Sequence, residues 1–158
     1  MGIDLNCGDE YFGCRYSAWK YLRYNLIAEK VVEFIHTIKK INNIFIYDLQ
    51  IEFKKYNELM TKQFNNMELI TETSNYITFI IYENKEFLKS FEMDGVVYLL
   101  NKSDCLGEYT VKESERILVT IKNIRKYLSD DNQFKDIYDR LIKLFEESVN
   151  KNLPVTIS

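Results

Sequence analysis

The chain holds a single histidine, a single proline, three cysteines and no surplus of positive charge, and each shortage removes a class of function. A Ser-His-Asp or Cys-His nucleophilic site would have to use His36, which falls deep inside a helical pattern with no nucleophile placed beside it. The formal charge is −3, from 21 basic and 24 acidic residues, so no global field draws the chain to DNA or RNA and no nucleic-acid partner is expected. No segment approaches the roughly 18 to 20 consecutive apolar residues of a membrane helix, so no membrane partner is expected either. Met1-Gly2-Ile3-Asp4-Leu5-Asn6 has neither the basic nor the apolar part of a secretory signal, and the cysteine count is odd. Reduced thiols in a cytoplasmic protein are the expectation.

Cofactor motifs are equally scarce. Six residues separate Cys7 from Cys14, against the roughly two to four of a zinc knuckle. A carboxylate magnesium site drawn from Asp4, Asp9, Asp104 or Glu108 stays open as an alternative, but no metal or other cofactor is expected. Gly8 and Gly13 enclose four residues as in a phosphate-binding loop, yet Cys14-Arg15 stands where Lys-Ser/Thr would hold phosphate and magnesium. A turn-rich connection is the simpler reading. No internal repeat, low-complexity tract or linker divides the chain.

What is present is ordinary globular material: 158 residues, 46% hydrophobic and 28% charged, with Tyr and Phe abundant. One domain over residues 1–158 buries enough surface to need no covalent staples. Gly2 to Leu5 alternates apolar and polar residues and reads as a strand, followed by a polar loop from Asn6 to Tyr16. Ser17 stands as N-cap to a helix whose stripe is Trp19, Leu22, Leu26, Val31, Phe34, Ile35 and Ile38, running to about Lys40. A weaker helical stripe follows through Leu49, Phe53, Tyr56, Met60 and Phe64. Tyr76 to Tyr82 is β-branched and aromatic, a strand by composition, with a buried helix as the alternative. Asp94 is placed to cap a short apolar helix, Val96 to Leu100. A second polar loop runs from Asn101 to Tyr109.

Thr110-Val111-Lys112-Glu113 is a capping box, opening a helix with Ile117, Ile121, Ile124 and Leu128 on one face. Phe134, Ile137, Tyr138, Leu141, Leu144, Phe145 and Val149 then form the cleanest amphipathic stripe. Leu153 to Ile157 reads as an extended segment able to pair with the N-terminal strand. The fold class is therefore mainly α with a small β element (α+β), its two terminal strands able to pair.

Two loop regions carry candidate function. Between Ser17 and Ala28 there is no acidic residue, whereas Lys20 and Arg23 share one side of the helix beginning. Cations at the positive end of a helix dipole are unfavourable by a few tenths of a kcal/mol unless an anion compensates, so a bound anion explains the pattern. Solvated or ion-paired side chains are the alternative. In the second loop, Asp104 and Glu108 are placed to accept hydrogen bonds from ligand hydroxyls or amines. Ser103 lies beside them and Lys102 is placed to meet negative charge. Asp104 and Gly107 also fit a plain Asx-turn with a positive-φ glycine. Asp4 would add a third carboxylate if the loops meet, and Tyr16 and Tyr109 would offer stacking faces.

These motifs resemble an uncharacterised family of small bacterial and phage proteins. The matching residues are Met1-Gly2-Ile3-Asp4, Tyr16-Ser17-Ala18-Trp19 with Arg23, Ser103-Asp104-Cys105-Leu106-Gly107-Glu108, and Leu153-Pro154-Val155-Thr156-Ile157. The second loop is the specific part, and the middle, about Ile41 to Glu92, is not covered. Lys102, Leu106 and Ser158 stand where that family has a histidine, a second aspartate and a terminal histidine. The resemblance implies a shared pocket rather than a reaction. A phage occurrence would make sequestering a host nucleotide signal, in an anti-defence role, a natural use.

The expected function is binding of a small anionic, nucleotide-like molecule by Asp4, Tyr16, Ser17, Lys20, Arg23, Lys102, Ser103, Asp104, Glu108 and Tyr109. No catalytic residue is assigned. The alternatives are a protein-interaction or inhibitor module, and a carboxylate-dependent hydrolase using Asp4, Asp104 and Glu108. Assembly of identical copies is left open.

Overall fold

The computed structural model describes residues 2–39, 81–102, 106–127 and 132–158, together with 51, 54, 55, 58, 75 and 77–79. Leu49, Phe53, Tyr56, Met60, Phe64 and Leu128 of the expected stripes lie outside the described residues, as do the side chains of Leu26, Ile35, Ile38, His36 and Phe134.

The sheet is built from both ends of the chain. β1 (Gly2–Cys7) turns Ile3, Leu5 and Cys7 inward and leaves Asp4 and Asn6 on the outer face, the period-2 alternation of a half-buried strand. The expected loop from Asn6 to Tyr16 is instead a second strand, β2 (Glu10–Arg15), paired antiparallel with β1 from Cys7↔Glu10 to Gly2↔Arg15. Gly8-Asp9 makes the two-residue turn between them. Gly8 has φ +55 and Asp9 has no positive φ, the pattern of a type II′ hairpin whose twist suits right-handed strands. β4 (Val155–Ile157) inserts between β1 and β3 (Gly107–Tyr109), giving an all-antiparallel order β2-β1-β4-β3. The two terminal strands pair as expected, through Leu5↔Ile157 and Asn6↔Thr156.

Helices cover the inner face. α1 (Tyr16–Tyr21) leaves directly from the end of β2, continues through a π-helical segment (Leu22–Ala28), and resumes as α2 (Glu29–Lys39). Ser17 is not its N-cap. Arg15 holds that position in extended backbone with no side-chain cap, because the last residue of β2 is also the entry to the helix. Residues 77–79 and 81–83 are helical, so the reading of Tyr76 to Tyr82 as a strand is corrected. Ile77 and Ile81 are both buried, the i,i+4 spacing of one helix face, and it is burial on that face that overrides β propensity.

α3 (Lys85–Ser90) leads to α4 (Gly95–Leu100), in which Gly95, Val96, Val97, Leu99 and Leu100 are buried. Asp94 sits at the N-cap of α4 without capping it. Its carboxylate instead receives the Arg116 guanidinium, with Nη2 2.5 Å from Oδ1 and Nε 3.1 Å from each of the two oxygens. This carboxylate–guanidinium hydrogen bond pushes the Arg116 pKa up.

The capping box forms as read. Thr110 N donates to Glu113 Oε2 at 2.8 Å and Glu113 N to Thr110 Oγ1 at 3.2 Å, opening α5 (Val111–Tyr127). α6 (Asn132–Lys151) packs along α5 and against the sheet. Its Tyr138, Leu141, Leu144 and Phe145 are buried with Ile3, Leu5, Phe12, Tyr109, Val155 and Ile157 in one core. Phe145 meets Tyr109 edge-on, with ring centroids 5.8 Å apart. Among the described residues, no helix is long and apolar enough to cross a membrane.

Candidate functional site

The sheet separates the residues singled out by the two loop motifs. Asp4 lies on its outer face, where the Tyr11 hydroxyl donates to Asp4 Oδ1 at 2.7 Å. Gly13 makes that bond possible, since a Cβ there would stand 2.7 Å from the Tyr11 Cζ ring atom and closer still to its hydroxyl. The bond to Asp4 is the chief cause of a raised Tyr11 pKa. Glu108 is exposed on the same face, two strands away, opposite Thr156. Tyr109, the next residue, points the other way by the pleat.

Tyr109 is fully buried, and its hydroxyl donates to the Leu99 carbonyl at 3.2 Å. Burial drives its pKa far up. It therefore offers no stacking face to a ligand, a correction to the expectation. Tyr16 is half-buried against the core. Lys102 Nζ stands 3.0 Å from Glu113 Oε1, so the cation of the second loop meets an acid of the chain itself. Ser103 and Asp104 lie outside the described residues, and so does the side chain of Ser17.

Lys20 and Arg23 are buried cations, and Arg23 is only 1% exposed. The Lys20 ammonium lies 5.1 Å from the Tyr16 ring centroid. The Arg23 guanidinium carbon is 5.4 Å from the centroid of Trp19 and 5.7 Å from that of Tyr24. Arg23 Nη1 is 3.4 Å from the Leu99 carbonyl oxygen and 3.3 Å from that of Lys102. The Leu99 carbonyl belongs to the last turn of α4 and that of Lys102 lies just past its end, where the helix dipole is negative and a cation is favoured. The acid-free helix beginning thus serves a second helix's C-terminus. Only the tertiary fold brings that terminus to Arg23.

The described surface offers a different concavity. Asn75, Thr78, Phe79 and Tyr82 stand at i, i+3, i+4 and i+7, one face of a helical turn, and look across at Val97 and Asn101 near the end of α4. Together they line a groove of about 400 Å³. Phe79 is 61% exposed and Tyr82 46%. The Tyr24 hydroxyl lies 2.9 Å from Thr78 Oγ1 behind the groove. At its rim, Lys85 Nζ donates to the Tyr82 hydroxyl at 3.1 Å and sits 4.3 Å from that ring's centroid. The hydrogen bond to Tyr82 is the first cause of a raised Lys85 pKa.

Sequence reasoning missed this site for a definite reason. Read as a strand over Tyr76 to Tyr82, Thr78 and Tyr82 fall on one face and Phe79 on the other, with Asn75 outside it. Read as a helix, all four converge.

The groove combines two aromatic faces, two carboxamides, a hydroxyl and a rim ammonium. No carboxylate is among its described lining residues. Among the described residues, no group of three or more His, Cys, Asp or Glu could hold a metal ion. Cys7 is buried and Cys14 half-buried, and desolvation raises both thiol pKa values. No protein-family model, no curated protein and no solved structure matches the chain.

Proposed function

We propose that the chain binds a small anionic, nucleotide-like molecule in the groove between the face formed by Asn75, Thr78, Phe79 and Tyr82 and the end of α4. The observation that carries this reading is the lining itself: about 400 Å³ bounded by Phe79, Tyr82, Thr78, Asn75, Asn101 and Val97. That volume lies in the usual range for small-molecule sites, roughly 300–1,000 Å³. A planar ring stacks on Phe79 or Tyr82, the carboxamides of Asn75 and Asn101 read its donor and acceptor edge, and the Lys85 ammonium meets the negative group. The ligand class expected from the two loops is kept, while its site moves to other residues, of which only Asn101 belongs to either loop.

The test is mass spectrometry of any small molecule released when the chain, purified from cells, is denatured, together with calorimetric titration of a panel of mononucleotides and cyclic nucleotides. A stoichiometric compound returned unchanged, or a saturable titration, is the expected outcome. Phe79→Ala weakens that binding by about tenfold or more, since one aromatic–base stack is worth about 1–3 kcal/mol. Phe79 and Tyr82 are also the exposed aromatics that a protein-interaction module would present. An empty chain, no saturation by any member of the panel, and co-purification of a protein lost in Phe79→Ala would overturn the ligand reading in favour of that alternative.

A further inference from the structure

We infer that the π-helical segment Leu22–Ala28 is a two-point clamp that holds the two walls of the groove at their spacing, through Arg23 on one wall and Tyr24 on the other. The inference rests on the groove being the ligand site. π-helical turns are rare, and they concentrate where a function maintains them. This segment spans seven residues, and its consecutive residues Arg23 and Tyr24 are both buried.

Arg23 reaches the α4 wall. Its Nη1 approaches the carbonyl oxygens of Leu99 at 3.4 Å and Lys102 at 3.3 Å, which bracket Asn101, a lining residue. These distances are long for hydrogen bonds, but the donor is a full charge facing the negative end of a helix. The Tyr109 hydroxyl binds the same Leu99 carbonyl at 3.2 Å and backs the arrangement from the sheet side. Tyr24 reaches the opposite wall, where its hydroxyl pairs with Thr78 Oγ1 at 2.9 Å. Two neighbouring residues of one irregular turn therefore fasten both sides of the groove from behind. A ligand seated between the aromatic faces and Asn101 loads those same bonds.

The test compares the full-length chain with Tyr24→Phe, which deletes only the hydroxyl, and Arg23→Lys, which keeps the charge but loses the forked reach. Residue-resolved amide hydrogen exchange reports on each wall, and calorimetry with AMP reports on the site. Tyr24→Phe is expected to speed exchange at Thr78, Ile81 and Tyr82 by about tenfold while Leu100 and Asn101 keep their rates. Arg23→Lys is expected to do the reverse. Each variant binds AMP about tenfold more weakly, the loss of roughly one hydrogen bond's worth of preorganisation.

Wild-type exchange at both walls in both variants overturns the clamp. So does acceleration spread evenly into β1 and β4, which marks a merely structural role, or saturable AMP binding of the same strength in all three chains. Wall-specific acceleration in a chain that binds neither AMP nor any other nucleotide supports the clamp while removing the ligand reading on which its purpose rests.

Discussion

Arg23 shows how far one residue's environment can depart from its local sequence. The absence of acids between Ser17 and Ala28 marks the position as electrostatically unusual, and that much is legible from the chain alone. Its compensation, however, comes from Leu99 and Lys102, more than seventy residues away. A buried charge is costly unless polar groups meet it, and here two carbonyl dipoles face Nη1 while the rings of Trp19 and Tyr24 flank the guanidinium. Gly95 is a second residue whose meaning is tertiary. A Cβ at this position would lie 2.6 Å from the Arg116 carbonyl carbon and nearer still to its oxygen, and 2.5 Å from Thr120 Oγ1. The Gly95 amide donates to that hydroxyl at 2.9 Å. Because the obstruction includes backbone, no rotamer relieves it. Gly95→Ala is expected to lower stability by about 1–3 kcal/mol, read as a lower midpoint with unchanged slope in urea unfolding.

The elements divide by whether their defining signal is short-range. α5 opens where a hydroxyl and a carboxylate three residues apart satisfy each other's backbone donors, and such a device is complete within four residues. Thr110→Ala is expected to cost about 1 kcal/mol and Thr110→Ser almost nothing, compared by thermal and urea denaturation. A midpoint for Thr110→Ala equal to wild type would show that α5 is held by packing alone. β2 is the opposite case. Glu10–Arg15 reads as a polar loop because Tyr11 and Arg15 face outward and only Phe12 is deeply buried. Its strand character comes from pairing with β1 across the Gly8-Asp9 turn. Residues 77–79 and 81–83 were open to both periods, since a short β-branched run fits a strand or a buried helix equally well. Only packing chose the helix, and with it the groove.

At the scale of the molecule, the last strand in sequence is an inner strand of the sheet. β4 joins β1 to β3, and its pattern buries Val155 and Ile157 while exposing Thr156. Stability should follow that alternation. Ile157→Ala is expected to cost about 2–5 kcal/mol and Thr156→Ala well under 1 kcal/mol, measured by chemical denaturation. Similar costs for the two would mean that the sheet does not form with this register.

The sequence by itself determined the paired terminal strands, the capping box, the amphipathic stripe of α6 and the mainly α class with a small sheet. All of these rest on alternation or helical spacing within a few residues, where each side chain's partner is its own near neighbour. Tertiary structure alone decided which carbonyls Arg23 meets, that Tyr109 is buried, and where a groove opens. Those outcomes depend on approaches between segments distant in the chain, and local periodicity carries no information about which segments will meet.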